Sequence, residues 1–159
     1  MKSENTESTI PEFSFKNAKY TKYEAGKKNV ELSAEWLEQY KSDNAVFAQN
    51  AEFETFSKNG EEETKGTCRL VSANTNDDVY TLYGDINLNF KNQDMHISAE
   101  SLRFVKKTEQ ITSGVGSKVN LQKKGMSLSG YGFSASGVSN SFSFSSNVEG
   151  LIQTEQDEK

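Results

Sequence analysis

The feature that most constrains the fold is a run of alternating side chains between positions 79 and 90. Its even positions hold five large apolar or aromatic residues and one glycine: Tyr80, Leu82, Gly84, Ile86, Leu88 and Phe90. The odd positions from 81 to 89 are mostly Thr, Asp and Asn. Because successive side chains of a strand point to opposite faces, the run predicts a half-buried strand. Shorter runs of the same kind begin near 95, 111, 119 and 126, so the pattern predicts an antiparallel meander.

Length and composition favour one thin β domain. A chain of 159 residues forms one domain with a real core, yet only 33% of it is hydrophobic, which suits strands with polar outer faces. The single proline, Pro11, lies outside the predicted strands, and sheet interiors exclude proline. A net charge of −5 without a basic run argues against a nucleic-acid partner.

The chain ends and the cysteine content do not determine the cellular compartment of the protein. Cys68 is alone, so no intramolecular disulfide forms, and no apolar run is long enough to span a membrane. The first residues lack the apolar segment of a signal peptide, so either the protein is cytosolic or an export signal or anchor has been removed. We expect a disordered polar tail at 1–11, a folded domain at 12–152 and a polar tail at 153–159.

A short recurring sequence motif predicts that strands bend sharply. An apolar residue, Ser and then Ala or Gly recur at positions 32–34, 71–73, 97–99 and 128–130. After Ala99 the apolar phase moves from odd to even positions, and the same slip follows Leu128. A one-residue slip exchanges the two faces unless the strand bends, so each copy predicts a strand passing from one sheet to the facing one. We therefore interpret residues 35–40 as bent strand, with a helical turn as the alternative.

The predicted fold is all-β: a single twisted β jelly roll, or β-taco, of antiparallel strands with an apolar groove between two sheets. The inward-facing set is Leu32, Phe47, Phe53, Leu70, Tyr80, Leu82, Ile86, Leu88, Ile97, Leu102, Phe104, Val119, Leu121, Leu128, Phe133, Phe142 and Phe144. These side chains line either an ordinary closed core or a slot for acyl chains, and the residues alone favour the closed core. Gly84 and Gly130 are predicted to permit tight bends or close backbone approach.

The last strands predict an open sheet edge. Residues 141–152 contain no lysine, arginine or proline, and Glu149 is their only charge. Such an unguarded edge is either covered or pairs with a partner strand. Two lysine pairs, Lys106-Lys107 and Lys123-Lys124, fall at predicted hairpin turns, where they serve solubility or contact lipid phosphates.

The sequence predicts neither an enzyme nor a bound metal or cofactor. His96 is the only histidine and has no nucleophile in a recognisable motif, and no metal-ligand spacing or phosphate-binding glycine loop is present.

The order of several motifs resembles the LptC family and the related OstA-like LptA domains. The motifs are Leu82-Tyr-Gly-Asp-Ile, Ile97-Ser-Ala-Glu-Ser-Leu-Arg-Phe, Gln110-Ile-Thr-Ser, Met126-Ser-Leu-Ser-Gly-Tyr-Gly-Phe and Val148-Glu-Gly. The resemblance covers roughly Phe13 to Ile152 and implies a boat-shaped β jelly roll with the inward-facing set as its lipid-binding groove.

The resemblance also implies a function. A protein of this kind is a periplasmic lipid-transfer module, anchored to the inner membrane by a segment missing from this chain. It accepts lipopolysaccharide, or a related lipoglycan, from an inner-membrane ABC transporter at one strand edge and passes it to an LptA-like protein at the other. The alternative is a structural or adhesive β-repeat protein that assembles through its edges without binding lipid.

Overall fold

The computed structural model describes residues 10–41, 44–137 and 141–152, and these form strands and turns only. Apart from residues 10 and 11, the tails expected at 1–11 and 153–159 lie outside the described residues. The twelve strands are β1 (Phe13–Glu24), β2 (Lys27–Tyr40), β3 (Ala45–Phe56), β4 (Glu62–Asn74), β5 (Val79–Phe90), β6 (Met95–Val105), β7 (Gln110–Thr112), β8 (Lys118–Lys123), β9 (Met126–Tyr131), β10 (Ser134–Ser136), β11 (Ser141–Ser143) and β12 (Ser146–Ile152).

All the described strands belong to one antiparallel sheet. Strands β1 to β6 are six long hairpin-connected strands, each paired with its neighbours in the chain. Beyond β6 the sheet divides into two arms: one end of β6 pairs with β8, followed by β9 and β12, and the other end pairs with β7, followed by β10 and β11. Beyond the six long strands, the sheet therefore continues as two separate sets of short strands.

A single line of bends crosses the sheet. On β2 the buried side chains step from Ala34 to Leu37, and on β6 from Ala99 to Leu102, a spacing of three where a flat strand has two. The same step follows Gly130, where the next buried side chain is Phe133. These corners were predicted from the small residue and the phase slip, and they are confirmed. The stretch from 35 to 40 is strand, as interpreted.

Strand β5 crosses the bend differently. Its buried side chains Leu82 and Ile86 are four residues apart, because the pairing with β6 shifts register between Tyr83 and Ile86. Gly84 and Asp85 occupy this bulge with φ angles of 83° and 47°. The extra residue restores the alternation, which explains why the sequence pattern of β5 continues unbroken through a corner.

The bend folds the sheet onto itself. The first layer contains residues 18–24, 27–34, 51–56, 62–68, 86–90 and 95–99, and continues into β8, β9 and β12. The second layer contains residues 13–16, 36–40, 45–49, 70–74, 79–83 and 101–105, and continues into β7, β10 and β11. The facing layers predicted from the sequence are thus two halves of one sheet, in the β-taco arrangement.

The bends on β3 and β4 each correct one of the inward-facing assignments. Phe47 was expected to share a face with Ala51 and Phe53, but its side chain is 42% exposed and points outward. Asn50, with φ of 51°, lies at the slip, so Val46 and Ala48 are the buried residues before it. Phe47 instead packs edge-on against Tyr40 on the outer face, with ring centroids 5.4 Å apart.

Leu70 is outward for the same reason. The slip on β4 lies between the buried Cys68 and Val71, so Leu70 falls on the outer face and is 47% exposed. The copy of the recurring motif at 71–73 therefore lies after the bend of its strand, whereas the copies at 32–34 and 97–99 lie before the bends of theirs.

Candidate lipid-binding interior and its mouth

The space between the layers is lined by the remaining members of the inward-facing set. The buried ones are Leu32, Phe53, Leu82, Ile86, Leu88, Ile97, Leu102, Phe104, Val119, Leu121 and Phe133. Tyr80, Phe142 and Phe144 pack partly buried against them, and the half-buried Leu128 lies opposite Leu121 across β8 and β9. The bend of the sheet thus brings together apolar side chains that are up to about a hundred positions apart in the chain.

An interior cavity lies between the layers. It is lined from the first layer by Tyr20, Val30, Leu32, Phe53 and Thr55, and from the second by Val46, Val71, Ala73, Tyr80, Leu82 and Phe104, with Thr75 at its end. About 20 Å³ of this space is free, which is room for roughly one water molecule. The layers are therefore in contact around this cavity, which as it stands has no room for an acyl chain.

The open side of the folded sheet is closed by a lysine and a carboxylate from opposite layers. Lys22, on β1, reaches across to the turn between β4 and β5, where its Nζ lies 2.6 Å from Asp78 Oδ1 and donates to the Thr75 carbonyl at 2.8 Å. Asp78 is 1% exposed and also accepts a hydrogen bond from the Tyr80 hydroxyl at 3.3 Å. Two donors and two acceptors of this cluster are thus joined by three hydrogen bonds at the rim.

The tyrosines beside this pair remain neutral. Burial raises the pKa of the Tyr80 hydroxyl above its ordinary value, and the charge of Asp78 acts in the same direction. Burial likewise raises the pKa of the Tyr20 hydroxyl, against the opposing effect of Lys22. Both hydroxyl groups therefore stay protonated hydrogen-bond donors at neutral pH.

A second lysine crosses the rim further along. Lys106, in the turn after β6, lies with its Nζ 3.3 Å from Glu63 Oε1 and 3.4 Å from the Phe56 carbonyl, both in the first layer. Its side chain is 14% exposed, so the expected solubility role of the Lys106-Lys107 pair does not describe Lys106. The Lys22–Asp78 and Lys106–Glu63 pairs are called the rim contacts below.

Outside the rim contacts lies a polar cleft of about 850 Å³, here called the mouth cleft. It is bordered by the turn between β1 and β2, the loop between β3 and β4, and the turns that carry Asp78 and Lys106. Its ionisable lining residues are Lys27, Lys28, Lys58, Lys106 and Lys107 with Glu24, Glu63, Asp78 and Glu109. A wet, charged cleft thus opens above a dry apolar interior, the arrangement that an amphiphilic ligand requires.

Neither Asp78 nor its partner Lys22 was singled out from the sequence. A signal for Lys22 exists: it shares the inward phase of Ala18 and Tyr20 on β1.

The two predicted glycines occupy tight positions. Gly84 lies in the β5 bulge, and a Cβ on Gly130 would come 2.8 Å from the Phe144 ring. Gly66 was also missed, although a Cβ there would lie 2.6 Å from both Leu88 and Phe53.

Strands β1, β11 and β12 each pair with a single neighbour, so each leaves one edge open among the described residues. Strand β1 pairs only with β2, and it carries Lys16, Lys19 and Lys22. Strand β12 pairs only with β9, and its exposed apolar side chains include Val148, Leu151 and Ile152. The first edge carries the charges that discourage pairing, whereas the second carries only Glu149.

Other kinds of site are absent from residues 10–41, 44–137 and 141–152. No group of three or more His, Cys, Asp or Glu side chains is placed to hold a metal ion. Across the same ranges, no helix has the length and hydropathy needed to cross a bilayer. The two ring nitrogens of His96 lie within hydrogen-bond distance of the side-chain amide oxygens of Asn89 and Asn87.

Fold and interior together define a bent-sheet β domain with a dry space between its halves. A solved structure of the same architecture is that of LptH, the LptA-homologous periplasmic component of the conserved lipopolysaccharide transport device from Pseudomonas aeruginosa. The two superpose with a TM-score of 0.63 over 79% of this chain and 95% of that one. At 12% sequence identity the likeness shows the shared fold.

The sequence itself identifies the family. The profile described as "Lipopolysaccharide-assembly, LptC-related" matches residues 2–153. The chain belongs to the LptC family. It is thus a module of lipopolysaccharide assembly and transport. No curated protein matches this chain.

Proposed function

We propose that this chain accepts lipopolysaccharide, or a related lipoglycan, from an inner-membrane ABC transporter and passes it to a like-folded, LptA-like protein. The observation that carries the proposal is the continuous apolar surface between two halves of one sheet. That surface is separated from water at the mouth by the two rim contacts. A closed interior of this kind is dry enough to hold acyl chains once its halves separate.

Separation of the layers is the step that admits a lipid. The bend provides a natural hinge, because each strand there already departs from regular pairing, as at the Gly84 bulge. Opening breaks the rim contacts and exposes the lining around Phe104 and Leu82. The acyl chains then cover the same apolar area, which offsets the exposure. The chain supplies no energy of its own, so directional movement depends on the transporter.

The open edges of β1 and β12 suit docking at opposite ends of the module. In this proposal one edge receives the transporter and the other an LptA-like partner, each by adding a strand to the sheet. Continuous pairing would align the interiors of successive modules. The proposal includes attachment to the inner membrane through a segment that is not among these 159 residues.

A paired photo-cross-linking experiment tests the proposal. A photoreactive side chain is placed at Phe104, which lines the interior cavity, and separately at the outward-facing Phe47. After incubation with lipopolysaccharide and illumination, we expect a lipid adduct at position 104 and none at position 47. Transfer is then followed as loss of that adduct when an LptA-like acceptor is added before illumination.

The second candidate, a structural β-repeat protein, is favoured by the open strand edges alone. It predicts edge-to-edge assembly with no lipid adduct at position 104. Equal adducts at positions 104 and 47 would indicate nonspecific adsorption to the sheet surface, and either result would overturn the proposed function.

A further inference from the structure

A β-bulge turns a polar side chain into the mouth of the molecule. Pairing between β1 and β2 shifts register at Lys22 and Tyr23, which leaves Asn29 as the extra residue on β2. Asn29 is 6% exposed, and so is buried although it precedes the inward-facing Val30. A bulge re-aims side chains in this way, and Asn29 is one of the residues that line the mouth cleft.

The amide of Asn29 is not satisfied by the protein. Its Nδ2 is buried and has no hydrogen-bond acceptor among the described residues. Buried amide donors are rarely left without a partner, so such an atom indicates a missing acceptor at this place. The hydroxyl of Thr55, which pairs across from Val30 and lines the interior cavity, is unpartnered in the same way.

The charges around the cleft select an anionic acceptor. The Asp78 and Glu63 carboxylates in its wall are each held by a lysine of the rim contacts. The ammonium groups of Lys27 and Lys58 line the same cleft and make no ion pair within 4 Å in the described part of the chain. The cleft's five lysines exceed its four carboxylates by one, the two carboxylates outside the rim contacts being Glu24 and Glu109, in a chain of net charge −5.

We propose that the mouth cleft is a binding site for phosphate-type anionic oxygens, with the Asn29 amide and the cleft lysines as donors. The inference rests on the proposed function in one respect: it assigns the anion to the headgroup of the lipid whose acyl chains enter the interior. The position supports this assignment, because the cleft lies directly outside the rim contacts and the interior cavity. Lysines bind phosphate as point charges and the amide adds direction.

The first test uses inorganic phosphate and the whole chain. The side-chain amide signal of Asn29 is followed by ¹⁵N nuclear magnetic resonance during titration with phosphate at constant ionic strength. We expect a saturable shift that chloride does not produce. The variant K27Q/K58Q should weaken the apparent affinity by roughly tenfold, as expected for loss of charge-assisted contacts. The matched control K16Q/K118Q removes the same charge outside the cleft and should change nothing.

The second test distinguishes a lipid headgroup from a free anion. Capture of lipopolysaccharide, and of the same lipopolysaccharide after removal of its lipid phosphates, is measured by cross-linking at position 104. We expect dephosphorylation and K27Q/K58Q each to reduce capture to a similar degree, and their combination to add little. N29D, which replaces the donor by a carboxylate of equal size, should reduce capture of the phosphorylated lipid most.

The outcomes separate this site from the function on which it rests. Normal capture that ignores both lipid phosphate and the cleft variants, with no phosphate-dependent shift of Asn29, overturns the anion site and leaves the lipid interior standing. A phosphate-dependent shift without any effect of lipid phosphate on capture assigns the site to a free anion and overturns the headgroup assignment. Absence of any adduct at position 104, with a normal shift, overturns the lipid function alone.

Discussion

Lys22 Nζ lies 2.6 Å from Asp78 Oδ1, and this pair joins two layers of the sheet through residues 56 positions apart in the chain. The carboxylate is almost completely buried, whereas the lysine side chain is 20% exposed. A buried pair costs much desolvation, so its presence is weak support for stability but its disruption is costly. Its place at the rim suggests that it determines how readily the layers separate.

The first prediction concerns this pair. K22M leaves Asp78 buried beside Tyr80 without a cation, and we expect the free energy of unfolding to fall by about 3 kcal/mol. Urea denaturation measures the change. K19M on the same strand is the matched control, because Lys19 is 64% exposed in its pair with Glu31 and should contribute less than about 1 kcal/mol. Equal effects of the two substitutions would show that the rim contact has no special role.

The second prediction concerns Cys68 and alkaline pH. Burial raises the pKa of its thiol to about 11 from 9.0, against weaker opposing hydrogen bonds to Tyr83 and Leu70. Below pH 9 the thiol is protonated in both the folded and the unfolded chain, so it causes no pH dependence there. Between about pH 9 and pH 11 only the unfolded chain loses the proton, and stability should fall by up to about 1.4 kcal/mol per pH unit from this group.

Urea denaturation from pH 8 upward tests the sign and the source of this slope. C68A removes the thiol but keeps the tyrosines that titrate in the same range, so its stability should fall less steeply than that of the wild type. Identical slopes for the two proteins would show that the thiol is not protected by burial.

The third prediction concerns close packing at Gly130. A Cβ at this position would meet the Phe144 ring at 2.8 Å and 2.9 Å, which is closer than side chains tolerate. G130A should therefore destabilise the fold by about 1–3 kcal/mol through overpacking and should displace the C-terminal strands. Gly114 has nothing within 4 Å of a built Cβ and a φ outside the left-handed range, so G114A is the control and should be nearly neutral. Thermal unfolding of both variants measures the difference.

The fourth prediction concerns the open edges. Leu151 on β12 is 63% exposed, so L151K should leave stability nearly unchanged while adding the charge that discourages strand pairing. We expect it to weaken docking of the partner that uses this edge, measured as complex formation on a sizing column. Y23K makes the same kind of change at β1, where Tyr23 is also 63% exposed, and should spare that complex. Loss of the same complex in both variants would contradict docking by separate edges.

Much of the fold could be predicted because most bends are marked by a local sequence pattern. Ala34 and Ala99 each combine a small side chain with a phase slip, so the corners on β2 and β6 follow from the sequence. The corner on β3 does not, because Val46 and Phe47 are adjacent apolar residues and either one fits the inner face. The positive φ of Asn50, which sets the choice, becomes evident only from pairing with the neighbouring strands.

The mouth was less predictable for a physical reason. The bulge that aims Asn29 is a property of the register between β1 and β2, and one strand's sequence does not specify register. Lys22 is unusual because it is a charged residue at an inward-facing position of β1. Nothing near it in the sequence identifies Asp78 as its partner. Contacts between layers depend on the angle of the fold, which local patterns leave open.

The central claim is that the two layers separate to admit acyl chains. Its most direct measurement is the distance between spin labels at Asn59 in the first layer's β3–β4 loop and Asn76 in the second layer's β4–β5 turn, in a C68A background. Labels at Asn59 and Asn92, both in turns of the first layer, give the reference distance. Adding lipopolysaccharide should lengthen the 59–76 distance by about 4 Å or more, one van der Waals contact layer, and leave 59–92 unchanged. An unchanged 59–76 distance under conditions where lipid is bound would contradict the claim.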